Sequence, residues 1–266
     1  MSYKRYQGEG RLLQPVTRDG ERWAVRSWDT ALATVSERIR AARAAHGPSA
    51  VAAVVSAQST NEEIFLAERL VRRQLGGRLA GLSWSPADAR HDDFLIDADK
   101  NPNSAGLQVL GAETSELDAV VAAARDGAVR VLVLVRADLS GPYGEALIDA
   151  LSESVEFIVV LDTHFSRTAE IADVLLPIAS FAETDGTVVN RARRVQRVRE
   201  AIAPPVQARP GWAVLSDIAR TLEGPAVPAD ASAVFTELAA SQEPFRHLSY
   251  TRLGELGLPL ESGPPS

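Results

Sequence analysis

Short, almost wholly apolar stretches alternate with helical patterns along the chain, and this alternation limits the folds open to it. The stretches 50–55, 129–135 and 155–161 are rich in valine and are bounded by turn-forming residues. A strand that is apolar on both faces has to be covered on both faces, as strands of parallel sheets are. The sequence therefore predicts an α/β fold in which a parallel sheet is flanked by helices.

The helical segments have recognisable beginnings and ends. A first helix is predicted over 29–46, and glycine and proline follow it. Ser59 or Thr60 can cap a second helix, whose first turn carries acidic residues where the helix dipole favours them. Further helices are predicted over 117–125, 144–151, 168–171 and 212–222.

Three stretches lack a clear period. Residues 78–112 are rich in Asp, Asn, Pro and Gly and are predicted to form one long loop. Residues 178–209 are predicted to be irregular, and Pro, Ser and Ala dominate an irregular C-terminal tail from Gly224. These boundaries divide the chain into an N-terminal partial α/β region (1–112), a Rossmann-like α/β domain (113–223) and the tail (224–266).

Composition excludes several classes of function. The 266 residues include no cysteine, so they cannot supply a thiolate to an iron–sulfur cluster or a zinc ion. A net charge of −7 argues against binding along a nucleic-acid backbone. No apolar run approaches the ~18 residues of a membrane span, and the first residues lack a secretory pattern. We therefore expect a cytoplasmic protein.

Common catalytic and metal motifs are missing. Neither a dinucleotide-binding glycine pattern nor a phosphate-binding loop occurs, and Gly81-Leu82-Ser83-Trp84-Ser85 lacks the last glycine of a nucleophile elbow. No two histidines have zinc-ligand spacing. The acids and amides that alternate over 97–103 resemble the start of a calcium-binding loop. Such a loop needs glycine at its sixth position, and this sequence has Pro102 there. No catalytic or metal-ligating residue is predicted.

Two segments allow a functional and a structural interpretation. Arg191, Arg193, Arg197 and Arg199 alternate along an extended segment, either as a docking strip for a partner subunit or as a solvated edge strand protected by charge. The polar residues 183–190 surround a glycine hinge, either as a ligand loop beyond a strand end or as a plain connection.

Four motifs in order resemble the molybdopterin oxidoreductase superfamily, in particular the branch with the large iron–sulfur subunit of respiratory complex I, the NADH-quinone oxidoreductase. The clearest is Ala-Asp-Val-Leu-Leu-Pro at 172–177, which Glu183, Gly186, Thr187, Asn190, Arg194 and Gln196 follow at the family's spacing. The first motif along the chain lies at 11–32 and resembles the family's opening pattern, with Arg11-Leu12, Pro15, Arg18 and Trp28. The other two are Thr-Asn-Glu-Glu at 60–63, followed by Leu70 and Arg72, and Pro-Asn at 102–103, followed by Gly106 and Leu110-Gly111.

Departures from the family are as informative as the matches. Family members carry a four-cysteine cluster module and use Cys, selenocysteine or Ser to bind molybdenum, and their C-terminal barrel clamps the cofactor. None of these features is seen here, and Ala192-Arg193 stands where the family has Glu-Gly. The resemblance therefore implies a truncated molybdopterin-oxidoreductase-type core that binds no cofactor directly. If a pterin is bound, the resemblance assigns it to Asn101, Asn103, Glu183, Thr187, Asn190, Arg194 and Gln196.

The expected function is that of a non-catalytic structural subunit without a redox centre of its own. It would support iron–sulfur and flavin subunits of an NADH- or formate-linked oxidoreductase, lying in the cytoplasm or peripheral to the inner membrane through them. An alternative is a molybdopterin-binding oxidoreductase subunit that acts with a partner chain. A third is an unrelated small-molecule-binding α/β domain with a pocket near Asp162 and Ser166.

Overall fold

The structure is a computed structural model, and it describes residues 8–261 except 93 and 95. Within these residues the strands are β1 (Val16–Asp19), β2 (Arg22–Val25), β3 (Val51–Ser56), β4 (Arg78–Leu82), β5 (Val131–Val135), β6 (Phe157–Asp162), β7 (Val174–Pro177), β8 (Gly186–Val189), β9 (Arg194–Val198) and β10 (Leu258–Pro259). The α-helices of the described residues are α1 (Trp28–His46), α2 (Asn61–Glu68), α3 (Ser104–Val109), α4 (Leu117–Arg125), α5 (Ser140–Tyr143), α6 (Glu145–Ser154), α7 (Gly211–Thr221), α8 (Ala231–Ser241) and α9 (Tyr250–Leu253).

The main sheet has seven strands in the order β2-β1-β7-β6-β5-β3-β4. The five strands β7, β6, β5, β3 and β4 are parallel to one another. Strands β1 and β2 add an antiparallel edge beside β7. The predicted parallel α/β sheet is thus confirmed. The order of its parallel strands corresponds to the doubly wound 2-1-3-4-5 arrangement rather than to the 3-2-1-4-5-6 order of the Rossmann dinucleotide fold.

Helices cover both faces of this sheet because successive strand residues point to opposite sides. On one face, Val51, Ala53 and Val55 pack with buried residues of α1, α2, α7 and α8. On the other, Ala52 and Val54 pack with buried residues of α4 and α6. No helix of the described chain is long and apolar enough to cross a membrane.

The predicted loop over 78–112 contains a strand and a helix. Strand β4 pairs with β3 in parallel, and its last four residues are buried. The sequence of β4, Arg-Leu-Ala-Gly-Leu, lacks the β-branched residues that mark the other strands. Its glycine fits here because a side chain at Gly81 would meet the carbonyl of Ala112. The loop itself is confined to 83–103, and α3 follows it.

The predicted irregular stretch 178–209 contains a hairpin. Strands β8 and β9 pair antiparallel, and β10 joins β9 to form a second, three-stranded sheet. Val189 of β8 and Val195 of β9 are buried. Strands β8 and β9 have only four and five residues. They are too short to show a clear alternation of apolar and polar residues among the surrounding arginines and polar residues.

The expectation of an irregular C-terminal tail is wrong for the described residues after Gly224. Asp230 caps α8 by accepting a hydrogen bond from the Ala233 backbone at 2.8 Å. Val234, Phe235 and Leu238 are buried in the main core at helical spacing. The abundant Pro, Ser and Ala obscured this short amphipathic pattern, and α8, α9 and β10 form part of the folded protein.

Val206 is held in a strained backbone conformation. Its φ of 50° lies in the left-handed region, which is costly for a β-branched residue, and its side chain is 69% exposed. The neighbouring Gln207 fixes this turn, since its amide donates to the Leu13 carbonyl and its carbonyl accepts from the Trp28 indole.

We expect Val206→Gly to raise the free energy of unfolding by about 0.5–1 kcal/mol, because relief of roughly 1–2 kcal/mol of strain exceeds the entropic cost of glycine. Urea denaturation of both proteins measures the change. The control is Val25→Gly, an exposed valine in β2, which should lower stability. A loss of stability in Val206→Gly would contradict the proposed strain.

Candidate functional site

A cleft of about 840 Å³ opens at the carboxyl ends of β3, β5 and β6. The strand order reverses between β3 and β5, so the loops that leave these strands diverge and leave a crevice, as in other open α/β sheets. Polar and aromatic side chains line it together. The lining residues are Glu9, Gln58, Thr60, Pro102, Arg136, Asp162, Thr163, His164, Phe165, Ser180, Phe181, Val188 and Val198.

Asp162, the last residue of β6, lies in this cleft. Its Oδ1 accepts a hydrogen bond from the Thr163 amide at 2.6 Å. Burial raises the pKa of Asp162, although the hydrogen bonds of Thr163 and the positive charge of Arg136 act against the shift. The Thr163 hydroxyl lies 2.9 Å from His164 Nδ1. The floor of the cleft therefore combines a carboxyl group, a hydroxyl and an imidazole.

Arg136 follows β5 and connects the cleft to the protein interior. Its Nε and Nη2 donate to the two carboxylate oxygens of Glu63 at 3.0 and 2.8 Å, and Nη2 also donates to the Ala179 carbonyl at 2.7 Å. Burial opposes the charge of Arg136, but Glu63 outweighs it and raises the pKa of the guanidinium. With φ at 52°, the backbone of Arg136 is in the left-handed region. A buried ion pair thus fixes a strained residue at the cleft.

The start of α2 supplies four consecutive buried polar residues, Thr60, Asn61, Glu62 and Glu63. Thr60 and Glu63 form a capping box, in which each side chain accepts a hydrogen bond from the backbone of the other. Asn61 and Glu62 point toward β8, where both contact Thr187. The side chains of this motif therefore bind other parts of the chain.

Two of the predicted cofactor residues, Asn103 and Thr187, belong to this buried network. Asn103 donates to the Ser59 carbonyl at 2.8 Å and to Asn61 Oδ1 at 3.0 Å, and it accepts from the Val189 amide at 2.7 Å. The Thr187 hydroxyl accepts from Asn61 and donates to Glu62. Both side chains tie α2, α3 and β8 together, and both residues are fully buried.

The other predicted cofactor residues lie apart from this network. Glu183 is buried, pairs with Arg11 and accepts from the Ser180 amide at 2.8 Å. Asn190, Arg194 and Gln196 organise the β8–β9 turn, where Asn190 accepts from the Arg194 amide at 3.0 Å and donates to Gln196 Oε1 at 2.8 Å. Asn101 braces loop 83–103 through Trp84, Ser85 and Asp99. The seven residues are therefore spread over several separate places.

The arginines of the predicted partner strip have different surroundings. Arg191 is highly exposed and lies 2.8 Å from Asp97, while Arg193 is exposed at the hairpin turn with a φ of 55°. Arg197 stacks on the Tyr250 ring at 4.4 Å. Arg199 donates to the Gly254 carbonyl at 3.3 Å. Two of the four thus contact the chain's own C-terminal segment (residues 231–261), and two remain at the surface of the turn.

The pocket of the third alternative was expected near Asp162 and Ser166. Asp162 lines the cleft and Ser166 is not among its lining residues, whereas Gln58, Arg136 and His164 line it and were not expected. Arg136 carried a usable signal, because it is the first polar residue after a wholly apolar strand and strand ends in such sheets face the ligand crevice. Among the described residues, no group of three or more His, Cys, Asp or Glu could hold a metal ion.

Gly106 fits against the buried network at a point where no side chain can be added. A Cβ at this position would lie well inside contact distance of Asn103 Oδ1 and Asn61 Oδ1. We expect Gly106→Ala to cost about 2–4 kcal/mol through overpacking and lost buried hydrogen bonds, against the usual helix-stabilising effect of alanine. Gln108→Ala, at an exposed position of the same helix, is the control for chemical denaturation. Equal stability of the two variants would contradict the close fit of Gly106 against Asn61 and Asn103.

A family model for the molybdopterin oxidoreductases matches residues 11–104 and 98–221. The chain belongs to this family. The resemblance seen in the sequence motifs is thereby confirmed, and the matched residues include both the buried network and most of the cleft.

Relatives of the chain include components of two kinds of oxidoreductase. It is 36% identical over 126 residues to an NADH-quinone oxidoreductase subunit of Shewanella oneidensis, covering 46% of this chain and 14% of that protein. Over 192 residues it is 29% identical to the corresponding NADH-quinone oxidoreductase subunit of Rhizobium meliloti, covering 71% and 22%. Over 108 residues it is 40% identical to the alpha subunit of an F420-dependent formate dehydrogenase of Methanococcus maripaludis, covering 40% and 16%. The matches thus span less than a quarter of each relative.

Among solved structures, the chain is similar to the acetylene hydratase of Pelobacter acetylenicus. The TM-score is 0.61, and the match covers 98% of this chain and 68% of the hydratase. Sequence identity is only 10%, so the likeness concerns the fold. The match over nearly the whole chain includes the C-terminal segment that composition had suggested was irregular.

Proposed function

We propose that this chain is a non-catalytic structural part of a multi-subunit electron-transfer oxidoreductase of the NADH-quinone or formate type. The observation that carries the proposal is the buried network, in which Asn103 and Thr187, which the family resemblance would assign to a pterin, use their hydrogen bonds inside the protein. Polar groups engaged in this way stabilise loops and leave little capacity for a ligand.

The absence of cysteine from these 266 residues is consistent with this role. Iron–sulfur clusters are held by cysteine thiolates, so any cluster near this chain would belong to another polypeptide or segment. We propose that partner subunits carry the iron–sulfur clusters and the flavin. In such a complex the protein would lie on the cytoplasmic side, peripheral to the inner membrane through its partners.

We place part of the partner contact at the arginine strip. Arg191 and Arg193 project from the β8–β9 turn, while Arg197 and Arg199 are fixed against the C-terminal segment. Exposed arginines on a rigid hairpin suit an acidic partner surface, since they can pair bidentately with carboxylates.

Native co-purification from the source organism tests the function. We expect cluster-bearing and flavin-bearing subunits to appear in fixed ratio with this chain, and no molybdenum to be bound by it. A chain that purifies alone, or with pterin and molybdenum attached, would contradict the structural role. The double variant Arg191→Glu, Arg193→Glu should lose the partners, whereas Arg125→Glu, on the exposed side of α4, should keep them. Equal retention by both variants would remove the strip from the interface.

A second candidate is binding of a pterin nucleotide in the cleft. Gln58, Arg136, Asp162 and His164 could contact such a group, and the hydroxyl of Ser180 is buried there without a hydrogen-bond partner within the described chain. When bound, the cofactor would supply the redox chemistry of its metal, while these residues would only hold and orient its nucleotide. Pterin fluorescence after acid oxidation of the purified protein separates this candidate from the first.

A further inference from the structure

Three buried glutamates lie on α2 or just before the β8–β9 hairpin, and one of them differs from the others. Glu63 pairs with Arg136, and Glu183 pairs with Arg11. Glu62 has no lysine, arginine or histidine within ion-pair distance in the described part of the chain. A buried carboxylate without a cation is costly, so Glu62 requires another explanation.

Neutral donors surround Glu62 instead. The Thr187 amide donates to Oε2 at 2.8 Å, and the Thr187 hydroxyl donates to Oε1 at 2.9 Å. The Tyr250 hydroxyl also donates to Oε1 at 2.9 Å. Burial, together with the charge of Glu62, raises the pKa of Tyr250, so its hydroxyl keeps the proton that it donates.

Tyr250 brings this donor from the C-terminal segment. Its ring packs against Phe235 of α8, with 5.4 Å between ring centroids, and the Arg197 guanidinium lies 4.4 Å from its centre. The ring thus joins α8, α9 and β9, while its hydroxyl reaches α2. The Tyr250–Glu62 hydrogen bond is a partly buried polar contact between this segment and the start of α2.

The charged groups around this contact are few. Tyr250 faces Glu62 from α9, and Thr187 of β8 carries no charge. Arg197 of β9 lies over the face of the tyrosine ring and pairs at 3.4 Å with Asp185, which precedes β8. Its charge is therefore largely balanced, and the protonation of Glu62 depends mainly on its burial.

We propose that Glu62 and Tyr250 form a proton-controlled latch, which holds the C-terminal segment more tightly against α2 when Glu62 takes up a proton and less tightly when Glu62 loses it. This inference is independent of the proposed function. Burial raises the pKa of Glu62 from its ordinary value of 4.5 to about 7, so the change falls near neutral pH.

The direction follows from proton linkage. When the segment opens, Glu62 meets water and its pKa returns toward 4.5. Between pH 4.5 and 7 the closed form therefore binds more protons than the open form, and opening becomes easier as the pH rises. Above pH 7 both forms are ionised, and the opening constant stays level. The full window corresponds to a rise of roughly 10²-fold in that constant.

Hydrogen exchange of the full chain from pH 5 to 8.5, corrected for the intrinsic exchange rate, tests the latch. Amides of α8 should show an opening constant that rises about 100-fold up to pH 7 and then levels. Glu62→Gln should remove this dependence, while Glu255→Gln, at an exposed position of the same segment, should retain it. Equal slopes in the wild type and Glu62→Gln would overturn the proposal.

Two further measurements keep the test decisive if Glu62→Gln does not fold. Tyr250→Phe retains the ring but removes one hydrogen bond to the carboxylate, so the midpoint of the pH dependence should move upward. An unchanged midpoint would exclude the hydroxyl from the latch. Amides of the central strand β5 should not follow the slope of α8, because a common slope would mean that the whole molecule responds and that no separate segment opens.

Discussion

Replacing Arg136 by methionine is expected to lower the free energy of unfolding by about 3–5 kcal/mol, because the substitution leaves the carboxylate of Glu63 buried without its partner. Both side chains are almost completely buried, and two hydrogen bonds join them. The Ala179 carbonyl loses a donor as well. Methionine has a similar length and is apolar, so little of the effect should come from a cavity.

Two companion variants separate the ion pair from general disruption. The double variant Arg136→Met, Glu63→Gln should recover much of the loss, since no uncompensated charge remains and Gln can still cap α2. Arg130→Met breaks a partly exposed pair with Glu156 and should cost less than about 1 kcal/mol. Denaturant unfolding of all three proteins gives the comparison. A cost for Arg136→Met near that of Arg130→Met would mean that the buried pair does not stabilise the fold.

Phe235→Ala is expected to cost about 3–5 kcal/mol, the usual range for removing a buried phenylalanine from a core. Phe235 is only 1% exposed and belongs to the main core, in which α8 packs against α2. Its ring contacts Phe245 at 6.2 Å and Tyr250 at 5.4 Å between centroids. The variant therefore tests whether the C-terminal segment belongs to the core.

The matched control is Phe94→Ala, since Phe94 is 87% exposed on loop 83–103. Its loss should change the free energy of unfolding by less than about 0.5 kcal/mol. Thermal or urea unfolding of both variants measures the difference. If Phe235→Ala were as mild as Phe94→Ala, residues after 224 would not contribute to global stability, and the segment would be an appendage of the domain.

Much of the fold could be predicted from local patterns. Valine-rich runs at 50–55, 129–135 and 155–161 predicted strands, and their continuous apolarity predicted a parallel sheet with both faces covered. The N-cap of α2 was also readable, because Thr60 was one of two residues predicted to cap it and an N-cap depends on neighbours three residues away. Strand β4 and helix α8 were missed because their residues give only a weak local signal. Packing against residues that are distant in the sequence stabilises both elements.

The candidate site was less accessible from the sequence. The motifs identified the family, but they could not show that Asn103 and Thr187 bind α2 while Asn190 and Gln196 bind each other. The first two pairings join residues that are far apart along the chain. The third depends on the geometry of the β8–β9 turn. A motif fixes which groups are present and at what spacing, whereas their partners depend on how the elements pack.

The sequence by itself determined the valine-rich strands β3, β5 and β6 of the central sheet, several of the helices that flank it and the family. Periodicity, capping and turn chemistry act over a few residues and can be read without a structure. The tertiary structure alone decided that Arg136 neutralises Glu63, that Tyr250 reaches Glu62 and that the C-terminal segment is part of the core. Those contacts join residues separated by 73 and 188 positions, and only the packed arrangement of sheet and helices brings them together.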